Sequence, residues 1–75
     1  MLEDRRERFV RLANKRVNRA LDTIRLIGNL ANTAYYEYTD EDVRRVMKAL
    51  EEEVRAARQR FESSPNTKGP RFEIK

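Results

Sequence analysis

Arg11 to Leu30 reads RLANKRVNRALDTIRLIGNL, and the spacing of its apolar residues decides the fold class. Val10, Ala13, Val17, Ala20, Ile24, Ile27 and Ala31 recur at alternating steps of three and four, the spacing of a helix that buries one stripe along its length. Phe9, Leu21 and Leu30 widen the stripe. Upstream, Glu3, Asp4 and Glu7 put negative charge where a helix start favours it, so the first helix is expected to begin near residue 3. Gly28 has two readings, a helix-ending residue or a tolerated interior glycine. The interior reading is preferred, because Leu30 and Ala31 keep the spacing and Asn32 offers a later stop.

Downstream, residues 32–38, NTAYYEY, carry no helical stripe and make a connection of the length used between two antiparallel helices. Thr39 followed by Asp40, Glu41 and Asp42 is an N-cap with an acidic first turn, which places the start of a second helix at residue 40. Val43, Met47, Leu50, Val54, Ala57 and Phe61 then follow in unbroken steps of four and three, with Val46 beside them. Asp40 with Arg44, Glu41 with Arg45, and Glu51 with Arg55 stand as i,i+4 ion pairs. Ser63, Ser64 and Pro65 end the helix near 62, since proline disfavours helical geometry in the residue before it.

The expected fold is therefore all-α: an antiparallel two-helix hairpin, about 3–31 and 40–62, with an irregular C-terminal tail. Residues 1–62 form the hairpin domain; 63–75 form a flexible tail that is a candidate partner-binding segment through Phe72 and Ile74. A lone hairpin leaves half of each stripe wet. Assembly into a four-helix bundle, or docking on a larger partner, is expected through Val10, Val17, Ile24, Ile27, Met47, Leu50, Val54 and Phe61.

Composition agrees with that reading. Of 75 residues, 40% are charged and only four are Gly or Pro, a balance suited to surface-laced helices. With no Cys and no His, disulfides are impossible and the usual zinc ligands are absent. The opening MLEDRRERF holds no apolar run of signal-peptide length, and nothing approaches a membrane span, so a soluble cytoplasmic protein is expected. No cofactor or metal is expected.

Catalysis is not expected either. Asp40, Glu41 and Asp42 are accounted for by capping, and Glu51, Glu52 and Glu53 span most of a helix circumference and cannot converge. No nucleophile and base can be paired in the familiar ways.

Charge is unevenly placed. The net +4 resides in residues 1–34, which hold eight basic and four acidic side chains, whereas 40–62 hold six and seven. On a helical wheel Arg8, Arg11, Lys15, Arg19 and Arg25, with Asn18, fall opposite the apolar stripe of the first helix. Such a row can follow phosphates, each neutralised phosphate releasing counterions; it can equally be an ordinary solvated face, and Asp22 interrupts it. Leu12 and Leu26 lie on the same outer side and can mark a second contact surface. Tyr35, Tyr36 and Tyr38 can stack on unpaired bases or pack a bundle end.

Three segments carry a resemblance: Arg16 to Leu21 (RVNRAL), Ile27 to Leu30 (IGNL) and Tyr36 to Asp40 (YEYTD). Over residues 9–61 the chain resembles a group of short helical proteins encoded by bacteria and their mobile elements. The likeness implies the hairpin and brings no established activity. In layout the chain is also similar to the plasmid-control Rop proteins, dimers of helical hairpins that grip paired RNA loops through their first helices, although a fold does not carry its function along.

Two functions lead as expectations, ahead of a purely structural oligomer. The first is a small non-enzymatic accessory protein that assembles with itself or a larger subunit and binds RNA or DNA through Arg8, Arg11, Lys15, Asn18, Arg19 and Arg25. The alternative is a protein-binding adaptor or inhibitor of mobile-element type, acting through Leu12, Leu26, the tyrosine turn and the tail.

Overall fold

The computed structural model describes residues 2–64. Among them the chain is all-helical and holds no strand: α1 spans Arg5–Gly28, a 3-10 turn spans Asn29–Ala31, and α2 spans Asp40–Glu62. The chain divides into two units between Glu37 and Tyr38, and each is described by itself. The tail from residue 65 onward, with Phe72 and Ile74, lies outside the described residues.

In the first unit α1 begins at Arg5, two residues later than the acidic run suggests. The cause is a reciprocal cap. The Asp4 carboxylate accepts the Glu7 N–H at 2.7 Å, and the Glu7 carboxylate accepts the Asp4 N–H at 3.2 Å. An N-cap residue must be extended, as Asp4 is (φ −81°, ψ 176°), so Glu3 is placed outside the helix. Caps of this kind contribute about 1 kcal/mol.

Gly28 is helical, with φ −61° and ψ −28°, and no described residue has a positive φ. It is thus no left-handed terminator. After it the chain tightens into the 3-10 turn, and Asn32 turns extended (ψ 102°). The α1 rise is about 36 Å and the 3-10 turn adds about 6 Å. Asn32 also organises the connection: its side-chain oxygen accepts the Ala34 N–H at 3.0 Å, and its carbonyl accepts the N–H groups of Tyr35 and Tyr36 at 3.1 and 3.0 Å.

In the second unit α2 begins and ends where its sequence signals lie. Thr39 and Asp42 form a second capping box: the Thr39 hydroxyl accepts the Asp42 N–H at 3.0 Å and Asp42 accepts the Thr39 N–H at 2.9 Å. At the other end the Ser63 hydroxyl donates to the Gln59 carbonyl at 2.8 Å, satisfying one of the last free carbonyls. The α2 rise is about 34 Å.

Neither unit has a core of its own. No described side chain is buried, as a single helix can only half cover its own apolar stripe. Among the described residues no helix is long and apolar enough to cross a membrane.

Candidate interaction surfaces

The apolar stripes stand open on both helices. On α1, Val10, Val17 and Ile24 are exposed, and only Ile27 and Ala13 are half-buried. On α2, Met47 is exposed, Val54 and Phe61 stand at 59% and 61%, and Leu50 alone is half-buried. Exposed apolar side chains thus run in a line along each helix. Phe9 is dressed by a charge, the Arg6 guanidinium lying 5.8 Å from its ring centroid, close enough for cation–π attraction.

The basic back of α1 is partly neutralised by acids of its own unit. Glu3, left outside the helix by the Asp4 cap, folds back beside α1. Arg11 donates to it from Nε and Nη2 at 2.8 and 2.9 Å, a two-pronged guanidinium–carboxylate pair. Arg8 lies 3.9 Å from the same carboxylate. The hydrogen bond from Arg11 holds the Glu3 carboxyl below the usual glutamate range; desolvation pulls the other way, and the Arg11 charge adds to the lowering. The Arg11 guanidinium is correspondingly raised, first by that hydrogen bond and then by the Glu3 charge. Further along, Arg25 pairs with Asp22 at 2.9 Å.

Lys15, Asn18 and Arg19 differ from their neighbours: no described acidic side chain pairs with them. The row is therefore three residues with in-helix or near-helix counter-charges, Arg8, Arg11 and Arg25, around an open middle. The Glu3 clasp could not be read from spacing, because its acid lies beyond the cap and eight residues from its main partner.

On the outer side Leu26 is 65% exposed whereas Leu12 is half-buried. In the connection Tyr35 is 79% exposed, and its ring lies 6.4 Å from that of Tyr36 at a 59° tilt. Tyr38 belongs to the second unit. There, Arg45 pairs with Glu41 at 3.2 Å as the spacing suggests, but Arg44 also turns to Glu41, at 2.9 Å, instead of Asp40. No cluster of three or more acidic side chains able to hold a metal ion occurs among the described residues.

Compared with known proteins, the chain matches no family model, no curated protein and no solved structure.

Proposed function

We propose that the protein is a small non-enzymatic interaction protein whose two apolar stripes zip into an antiparallel hairpin, which works as part of a larger helical assembly. The observation that carries this reading is the exposure of every large stripe residue except Ile27 and Leu50. Residue sizes support it. Counted from the connection, an antiparallel register sets Ala31 against Val43, Ile27 against Met47, Ile24 against Leu50, Ala20 against Val54, Val17 against Ala57 and Ala13 against Phe61. Small residues meet larger ones in four of the six layers, the complementarity that close packing requires.

The test uses the absence of native cysteine. A chain carrying Ile24→Cys and Leu50→Cys should close an intrachain disulfide under mild oxidation, because the two positions share a layer and a disulfide needs Cα atoms within about 7 Å. A chain that stays reduced, or links only between molecules, rejects the zipped hairpin.

A second reading, RNA or DNA contact through the back of α1, is favoured by the open middle at Lys15 and Arg19. The ion pairs of Arg8, Arg11 and Arg25 are exposed, and such pairs contribute little, so phosphate can replace the carboxylates. If this reading is right, binding to a short RNA duplex weakens steeply between about 50 and 200 mM salt. Changing Arg11, Lys15 and Arg19 together to Glu should abolish it; unchanged affinity would discard the phosphate row. The adaptor reading keeps the support of exposed Leu26 and Tyr35, and Leu26→Asp should then release a captured protein.

A further inference from the structure

The apolar stripe is not the only heptad row on α1. Shifted by one position runs a second row, Leu12, Arg16, Arg19, Thr23 and Leu26, again in steps of three and four, about 100° round from the first and so on the border between the stripe and the basic back. It is large and apolar towards its ends and basic in the middle. Leu26 is exposed, and neither Arg16 nor Arg19 pairs with a described acidic side chain.

Helix α2 has the counterpart. Beside its own stripe run Val46, Ala49, Glu53, Ala56 and Arg60, acidic at the centre, where the α1 row is basic, and small on either side of it at Ala49 and Ala56. Glu53, exposed, pairs with no described cation.

Handedness decides how these rows can meet. Both are displaced from their stripes in the same rotational sense along the chain. Two antiparallel helices zipped through their stripes therefore carry both rows on one flank of the hairpin, side by side and unable to face each other. A second hairpin turned by 180° about an axis parallel to the helices brings each α1 row onto the other copy's α2 row, the self-complementary arrangement of a two-fold dimer.

We infer that the partner for this flank is a second copy of the same chain, with Arg19 of each copy opposite Glu53 of the other. In that register Leu26 meets Val46, Thr23 meets Ala49, and Arg16 lies over Ala56. The register is nearly that of the hairpin itself, so all four helices end level and both connections lie at one end. Arg19 is withdrawn from the phosphate row by this pairing, leaving Arg8, Arg11 and Lys15. The inference rests on the zipped hairpin proposed above, and its experiment fails separately from that one.

The experiment reads mass by sedimentation velocity across a concentration series. Wild type should sediment as two chains. By symmetry Arg19→Glu or Glu53→Arg creates two like-charge contacts, and each should weaken the dimer roughly ten- to a hundredfold. The double variant, Arg19→Glu with Glu53→Arg, should regain the two-chain mass, and that rescue separates pairing from damage to either helix. Independently, a chain with Leu26→Cys mixed with a chain with Val46→Cys should form the mixed disulfide in preference to either homodisulfide.

A one-chain mass for wild type, while Ile24→Cys with Leu50→Cys still closes, overturns the second-copy inference and leaves the hairpin standing. So does an Arg19→Glu variant that keeps the two-chain mass but loses affinity for the RNA duplex, since the row then serves phosphate. Failure of the intrachain disulfide removes the hairpin itself.

Discussion

Replacing Ile24 by Ala asks whether the α1 stripe is covered in the working protein, because the two answers differ in sign. Ile24 is 43% exposed on its own helix. Fully burying such a side chain is worth about 1.5–3 kcal/mol, so covering the remaining surface against Leu50 contributes roughly 1 kcal/mol. Truncation in a packed layer also leaves a cavity, which brings the expected loss to about 2 kcal/mol. For a domain of this size that is a fall of about 10 °C in the unfolding midpoint. On a helix with nothing against it the balance reverses: alanine is the better helix former by a few tenths of a kcal/mol, and no layer exists to lose. Far-UV circular dichroism melts at several protein concentrations distinguish the cases. A midpoint that rises or stays level in the variant would falsify the covered stripe, and with it the reading of the protein as a zipped bundle.

Two further outcomes are expected. A Cβ at Gly28 would meet nothing within 4 Å, and the residue is already right-handed, so Gly28→Ala should stabilise α1 by about 1 kcal/mol in the same melts. A lowered midpoint would instead place a neighbouring helix against that backbone. For the Glu3 clasp the sign follows from its depressed carboxyl: the pairing with Arg11 is fully present above the ordinary glutamate value of 4.5 and is lost as pH falls through the lowered one. An NMR titration should show the Arg11 Nε–H signal moving below that range together with the Glu3 carboxyl, and a signal that ignores Glu3→Gln would dissolve the clasp.

Both α-helices and the limits of α2 were legible in the residues themselves, whereas the 3-10 turn that ends the first was not. Thr39, Asp42 and the Ser63 to Pro65 run are local signals, and local hydrogen bonding decides where a helix starts and stops. The start of α1 was legible as well but harder to use. Asp4 and Glu7 have the spacing of a capping box, yet the neighbouring Glu3 invites reading all three acids as one charged first turn. Glu3 itself was out of reach, because a residue before the cap has no helical phase from which a partner can be inferred. For the same reason the counter-charges of Arg8 and Arg11 were invisible to a wheel, whereas that of Arg25, three residues from Asp22, lay on it. What covers the stripes is a matter of tertiary packing, where residue sizes and charge order guide the proposals.

Each rod carries its own starter. Asp4 with Glu7 and Thr39 with Asp42 stitch the first turns without help from elsewhere in the chain, so the slow opening event of coil-to-helix growth is local at both sites. Each cap stabilises its first turn by about 1 kcal/mol, and the rest of each helix depends on whatever surface covers its stripe.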